Sequence, residues 1–321
     1  MQGKGYEYNM NYIITGGAGF IGSHVAEELS KAGSKVVVID DLSSGFTDNL
    51  SGIKNVDIIN KRVQDIEDDQ FSDILKNSKG IFHLAAQASV PLSVDEFYES
   101  SKNNLLSTIK TFDWARKFKL PVIYASSSAV YGNLPYGSET EESIELLTPY
   151  AADKLVSEHY AKMAFDLYGL SSIGFRFFNV YGPRQDPNSP YSGVISIFAD
   201  HVMKKKPVQV NGGYQTRDFV YVKDVVRILL QGMKHSQDNQ IFDVMNVGTN
   251  ISVTIDNLLL DIFNIFGYKT DVKIVPLPKG DPEKSGGNSE KVKSVLGCDP
   301  AEFTPLKPGL EKTIEYIRDN S

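Results

Sequence analysis

The sequence predicts an α/β fold, a doubly wound parallel sheet followed by a smaller C-terminal α/β domain, and three observations carry that reading. From Asn11 onward, short β-branched runs alternate with longer segments of helical period, the pattern of successive βα units. The runs are almost continuously apolar, as strands are when helices cover both faces of a parallel sheet. After Phe178 the spacing shortens and loops rich in Pro and Gly take over.

Strands are predicted at Tyr12 to Thr15, Lys35 to Asp40, Val56 to Asn60, Ile81 to Ala86, Val122 to Ser126 and Ser172 to Phe178. Helices are predicted between them at Ser23 to Ala32, with Gly33 at its C-terminal end, and at Asp68 to Asn77, Tyr98 to Phe118 and Tyr150 to Tyr168. The first domain is expected to span residues 10–178 and the second 179–321, with 217–248 returning in part to the first as a strand and helix over Arg217 to Leu229. Loops at Gly182 to Gly193, Asn211 to Thr216 and Pro276 to Gly287 are where the second domain is expected to carry its binding groups.

A chain of 321 residues fits about two domains of roughly 150 residues each. With 41% hydrophobic and 23% charged residues it falls outside the disordered class. The 33 Lys and Arg against 40 Asp and Glu leave a net charge of −7, which argues against nonspecific nucleic-acid binding. The basic run Lys204 to Lys206 reads as a solvated helix end. A single cysteine, Cys298, permits no intrachain disulfide and no multi-cysteine metal site, so no metal is expected and a cytoplasmic location is. No run approaches the roughly 18 apolar residues of a membrane span, and MQGKGYEYN lacks the apolar core of a secretory signal.

TGGAGFIGS, Thr15 to Ser23, follows the first strand and opens the first helix. That placement makes it the fingerprint of a Rossmann-type dinucleotide site. Gly16 permits the tight turn, Gly19 lets the backbone approach a pyrophosphate, and Gly22 lets the helix pack on the strand. The helix N-terminus then presents free N–H groups and the positive end of its dipole to the phosphates. Asp40, ending the second strand, suits the adenosine ribose hydroxyls and repels a 2′-phosphate. No Arg or Lys follows within Asp41 to Gly45, so NAD is expected rather than NADP.

Tyr150 and Lys154 stand at i and i+4 in YAADK and share one helix face. An ammonium near a phenol favours phenolate, which suits the tyrosine to acid–base work. Ser126, Ser127 and Ser128 lie at the end of the fifth predicted strand, where open α/β sheets bind their ligands.

Together with these residues, HLAAQASV, ASSSAVYG, PYAADK, FRFFNVYGPRQDP and RDFVYVKD occur in an order that resembles the extended short-chain dehydrogenase/reductases over nearly the whole chain from Asn11. Within that superfamily the chain looks most like the UDP-glucose and UDP-N-acetylglucosamine 4-epimerases. The resemblance implies that Tyr150 takes the proton of the sugar 4-OH while C4 gives hydride to NAD, and that the 4-ketose turns over and takes hydride back on its other face. It matches Ser127, four residues before Tyr131, to the catalytic hydroxyl, with Ser126 and Ser128 as neighbouring alternatives. Lys154 would also hold the nicotinamide ribose. Further cofactor contacts are implied at Phe20, Ile21, Asp41, Ser43, Ser44, Gly45, Asp65, Ile66, Leu84, Ala85, Ala86, Gln87 and Asn104.

On the substrate side the resemblance matches Asn179 and Arg217 to groups that hold the diphosphate, and the fixed fork of an arginine suits phosphate oxygens. A structural ion pair to Asp218 or Asp224 is the competing reading of Arg217. Val194, Phe198, Gln209 and Asn211 fall where the family binds uridine, and Ser89 and Ser128 fall near the sugar. The family arginine before the GD motif is replaced by Pro278, with Lys279 beside it. Ser285, followed by Gly286 and Gly287, falls where the family gates the C2 substituent, and a small residue there implies room for an N-acetyl group.

The implied reaction is UDP-N-acetylglucosamine/UDP-N-acetylgalactosamine interconversion. UDP-glucose epimerisation, UDP-uronate epimerisation or decarboxylation, and a non-catalytic nucleotide-sugar-binding protein are the alternatives. A 4,6-dehydratase needs an Asp-Glu pair where this chain has Ser128-Ala129. The two long helices carry more apolar residues than one core stripe requires: Leu105, Ile109 and Phe112 on one face, with Leu106 and Phe118 off it. The family uses that pair in a four-helix dimer, so a homodimer is expected, with Met163, Phe165 and Leu167 otherwise serving only as core.

Overall fold

The computed structural model describes residues 11–141, 144–187, 192–278 and 281–320. In chain order the first half runs β1 (Asn11–Thr15), α1 (Phe20–Lys31), β2 (Lys35–Asp40), β3 (Val56–Asn60), α2 (Asp68–Lys76), β4 (Ser78–His83), α3 (Val90–Asp95), α4 (Phe97–Phe118), β5 (Val122–Ser127), α5 (Pro149–Tyr168) and β6 (Ser172–Phe177). The remainder runs β7 (Asn179–Tyr181), α6 (Val194–Met203), β8 (Val208–Asn211), β9 (Thr216–Tyr221), α7 (Val222–Asp238), β10 (Phe242–Val247), β11 (Ser252–Thr254), α8 (Ile255–Phe266), β12 (Val272–Val275), β13 (Lys284–Ser285), α9 (Glu290–Leu296) and α10 (Leu306–Asp319).

The large sheet has seven parallel strands in the order β10-β6-β5-β4-β1-β2-β3. Chain order reverses between β1 and β4, so the loops leaving their C-terminal ends diverge and open a crevice there. Strand periodicity divides the core between the two faces. Ile14 and Val38 join the cluster that includes Val25 of α1 and Leu229 of α7, while their neighbours Ile13 and Val37 join Phe71 of α2, Trp114 of α4 and Ala161 of α5. Truncating the fully buried Trp114 to Ala would cost about 3–5 kcal/mol. A third core, including Tyr181, Phe198, Phe219, Leu258 and Leu310, lies among α6, α8, α10 and the sheet formed by β7, β9, β11 and β13.

Four expectations need correction. The strand of Arg217 to Leu229 does not return to the large sheet: β9 pairs with β7, β11 and β13, whereas α7 packs on the large sheet and β10 supplies its seventh strand. The fourth strand stops at His83, because Leu84 and Ala85 turn to hydrogen-bond the backbone and side chain of Thr15. β3 lies at an edge and is not buried on both faces, leaving Ile58 41% exposed. On α4, Ile109 faces outward with Leu106 while Phe112 is buried. Among the described residues, no helix is long and apolar enough to cross a membrane and no His/Cys/Asp/Glu cluster suits a metal ion.

Candidate active site

The glycine turn sits at the crevice. Gly16 extends the ladder by donating to Ile39 O at 2.8 Å and adopts φ +71°, where a side chain is strained. A Cβ at Gly16 would also stand 2.6 Å from Ala85 N, and one at Gly22 would stand 2.2 Å from Gly16 O. Gly19 is the N-cap of α1 and offers no side-chain cap, and the first bonded helix amide is Ser23 N, on Gly19 O at 3.1 Å. Phe20, Ile21 and Gly22 therefore open the helix without intrahelical acceptors.

Asp40 is 8% exposed, and its carboxylate accepts from Ala18 N and Leu42 N, each at 2.9 Å. Burial nevertheless pushes its pKa up from the usual carboxylate range. Each oxygen keeps a lone pair for a hydroxyl donor, and a Cβ at Gly45 would come within 3.0 Å of Asp40 Oδ1. Asp41 accepts from Ser43 N and Oγ and pairs with Arg62 Nε at 3.3 Å. The fold thus brings a guanidinium beside this acid that inspection of residues 41–45 alone did not register. Ser44 lies on the same turn, and Asp65 and Ile66 on the turn after β3, Ile66 being buried. Gly turn, buried acid and open helix terminus together fit a dinucleotide.

The 84–87 segment is fixed at its far end. Gln87 N donates to Asn104 Oδ1 at 2.8 Å, Asn104 Nδ2 donates to Asp153 Oδ2 at 3.0 Å, and Ser100 Oγ donates to Gln87 Oε1 at 3.1 Å. Ser89 caps α3 by accepting from Leu92 N, so part of its hydroxyl capacity is structural.

Tyr150 owes its place to the start of α5. Thr148 caps the helix by accepting from Ala151 N at 3.3 Å, Pro149 occupies the first turn, and Ser93 Oγ accepts from Tyr150 N at 3.2 Å. Such a cap contributes about 1 kcal/mol and directs the positive helix end toward Tyr150, which favours its anion. The phenol is hydrogen-bonded to Ser127, which lowers its pKa, but burial is the larger effect and pushes it above the ordinary tyrosine value. Lys154 Nζ donates to Ala125 O at 2.9 Å and lies 5.7 Å from the Tyr150 ring centroid. Burial lowers Lys154 to about 8. The expectation that lysine proximity draws the phenol downward is therefore corrected: desolvation dominates both groups and drives each toward its neutral form.

The three serines separate cleanly. Ser126 is 2% exposed and donates to Glu158 at 2.5 Å. Ser127 is half-buried, accepts from Ala129 N at 3.1 Å and reaches Tyr150. Ser128 begins the following 3₁₀ turn.

Across the crevice, Arg217 is 9% exposed and donates to Thr216 O at 2.8 Å and to Asp281. Neither acid weighed from sequence is its partner: Asp218 accepts from Thr249 and Asn250, and Asp224 pairs with Arg227. Asp281 was missed because it is 64 residues away. Ser285 lies opposite Arg217 in the β13–β9 register, and Asn179 Nδ2 donates to Asp218 O on the same sheet. Gln209 donates to Asn211 on β8, Val194 opens α6, and Phe198 is 3% exposed within the third core. Pro278 is exposed, and Lys279 lies outside the described residues.

Residues 12–248 match the profile of the NAD dependent epimerase/dehydratase family. A UDP-glucose 4-epimerase of Mycolicibacterium smegmatis is 35% identical over 318 residues, covering 97% of this chain and 100% of that protein. The crystal structure of UDP-glucose 4-epimerase from Thermotoga maritima with UDP-glucose superimposes with a TM-score of 0.88 at 35% identity, covering 97% of this chain and 99% of that one. UDP-N-acetylglucosamine 4-epimerase from Methanobrevibacter ruminantium, in complex with UDP-N-acetylmuramic acid, gives 0.87 at 34% identity, covering 98% and 99%.

Proposed function

The chain belongs to the NAD dependent epimerase/dehydratase family, and from that premise we propose that it is a UDP-sugar 4-epimerase whose preferred substrates are UDP-N-acetylglucosamine and UDP-N-acetylgalactosamine. One observation carries the reaction type. Tyr150, hydrogen-bonded to Ser127 and one turn from Lys154, stands at the C-terminal end of β5, where the sheet faces the glycine turn.

The turn at Gly16, Gly19 and Gly22 and the Asp40 carboxylate would hold NAD, which when bound would supply a reversible hydride acceptor for sugar C4. Tyr150 as phenolate accepts the 4-OH proton and returns it to the same oxygen when C4 is reduced again, so the proton balance closes with each turnover. Ser127 holds that oxygen by hydrogen bonding, and Lys154 stabilises the phenolate charge. Arg217 and Asn179 hold the diphosphate, leaving the hexose free to present either face of C4.

The preference for acetylated sugars rests on Ser285. Gly287 beyond it has no room for a side chain, since an added Cβ would stand 2.6 Å from Gly137 O, and one at Gly286 would meet Ser252 Oγ at 2.7 Å. Ser285 is thus the small side chain in this segment. UDP-glucose turnover is the second reading, supported by the names of two of the similar proteins. Purified protein incubated with each nucleotide sugar should give C4 inversion at unchanged mass, faster with the acetylated pair, and Ser285→Tyr should suppress those selectively. Equal or faster conversion of UDP-glucose would overturn the preference, and loss of water or CO₂ would overturn the epimerase reading. The same reading makes the protein a cytoplasmic homodimer through α4 and α5, supported by exposed Leu106, Ile109, Met163 and Leu167. A monomer by light scattering at micromolar concentration would remove that part.

A further inference from the structure

A buried acid stands inside the proposed catalytic pair. Asp153 lies three residues after Tyr150 and one before Lys154, in the first turns of α5, and is 4% exposed. Residues three apart on a helix share a face. Its Oδ2 accepts from Asn104 Nδ2 at 3.0 Å, and the same asparagine clasps Gln87, accepting from its N–H at 2.8 Å and donating to its carbonyl at 3.3 Å.

We propose that Asp153 is a positioning residue of the reaction, its carboxylate serving as a fixed negative charge beside Tyr150 and Lys154 and, through Asn104, as the anchor of the backbone at Gln87. This rests on the reading of Tyr150 as the acid–base group. A carboxylate in a buried site acts at short range with little screening. It opposes proton loss from both neighbours, the phenol and the ammonium, and its charge acts in that direction on each.

The other titratable and charged groups around it belong to the neighbouring elements. Lys154 is turned to the β5 carbonyl of Ala125, and Glu158, one turn further along α5, is paired with Arg176 of β6. His83 of β4 is buried with its pKa lowered to about 3, which keeps it neutral. α3 and α4 contribute the uncharged Ser93 and Asn104. Glu158 and Arg176 oppose each other's fields, so Asp153 is the acid left to act on the pair. At the phenol the Asp153 charge acts in the same direction as burial, and at the ammonium it acts against burial. With Asp153 present, the phenol and the ammonium each keep their proton to higher pH.

The test is the pH profile of kcat for UDP-sugar C4 inversion by holoenzyme, comparing wild type with Asp153→Asn, Asp153→Ser and Asp153→Glu. Removing the charge in D153N or D153S should move both limbs of the profile down by about one unit. D153E should hold them near the wild-type position. Ultraviolet phenolate absorbance, with Tyr150→Phe subtracted, follows Tyr150 directly in variants too slow to assay and should show the same shift. Midpoints that stay put in both D153N and D153S, with activity merely lowered at every pH, would overturn the proposal. A wild type that does not invert C4, or a Y150F protein as active as wild type, would instead overturn the reading of Tyr150.

Discussion

Arg176 of β6 lays its guanidinium along Glu158 of α5, Nε and Nη2 donating to the two carboxylate oxygens at 2.8 and 2.6 Å in the buried interior. The pair is also a junction. Glu158 accepts from Ser126, Arg176 Nη1 donates to Tyr131 Oη at 2.9 Å, and Tyr131 donates to Asn246 at 2.7 Å. Helix α5, carrying Tyr150, is thereby tied to β5, β6 and β10 at the end of the sheet where the crevice opens. Glu158→Ala leaves the guanidinium buried without its counter-charge, which costs about 3–5 kcal/mol. Urea denaturation of the holoenzyme should show that loss, and a change under about 1 kcal/mol would mean that water reaches the vacated space.

The separation of the serines gives a sharper expectation. Ser126 is turned to Glu158 and Ser127 to Tyr150. Ser127→Ala should therefore lower kcat for C4 inversion well beyond Ser126→Ala, whereas S126A should lower stability by about 1.5–3 kcal/mol through loss of one hydrogen bond to the Glu158 carboxylate, which keeps its two from Arg176. Tyr150→Phe should cost on the order of 10²–10⁴ in kcat while cofactor stays bound. Steady-state rates and the ratio of bound NAD to protein separate the two effects. Equal kcat losses in S126A and S127A would mean that the chemistry does not distinguish the two hydroxyls.

Legibility from sequence tracked the range of the interactions involved. Six of the seven strands of the large sheet and the glycine turn were readable because β-branched runs, helical period and glycine spacing are local properties. Tyr150 and Lys154 were readable for the same reason. β10 was not, because short runs of mixed polarity such as FDVMNV carry little period, and Phe242, Asp243 and Val244 are only partly buried. β9 looked like a continuation of the large sheet because DFVYV is as apolar as a buried parallel strand, and only its pairing with β7, β11 and β13 separates it. The pairing of Arg217 with Asp281 and the approach of Arg62 to Asp41 are tertiary and leave no local trace. Neither does the balance of burial against charge at Tyr150, which depends on how completely α3, α4 and β5 enclose it.

Arg217 makes two structural hydrogen bonds, to Thr216 O and to Asp281, with guanidinium donors remaining for phosphate oxygens. An ammonium cannot reproduce that fork. Arg217→Lys should raise KM for the UDP-sugar by tenfold or more, the equivalent of losing a charged hydrogen bond of about 1.5–3 kcal/mol, with a smaller effect on kcat. Pro278 makes this dependence stronger, since the family arginine expected there is replaced by a side chain with no donor. An unchanged KM in R217K would show that other donors carry the diphosphate.

Two buried histidines set the acid side of stability. His24 Nε2 lies 2.9 Å from Pro183 O, and burial lowers its pKa to about 4; His83 lies between Thr15 and Thr108, and burial lowers it to about 3. The unfolded chain protonates both near 6.5, so between about pH 6.5 and these lowered values it binds more protons than the folded one. Stability is then fully present above about pH 7 and falls as pH drops through that window, by roughly 1.4 kcal/mol per histidine for each pH unit. His24→Gln keeps a donor for Pro183 O and removes the titration, so it should flatten the slope of unfolding free energy between pH 6 and 5, of order one proton's worth. Glu27, held at about 2 by Lys31, Lys223 and Arg184, adds a separate loss only below about pH 4.5, outside that interval. Urea titrations at several pH values should resolve the two windows, and an unchanged slope in H24Q would show that His24 is protonated in the native protein.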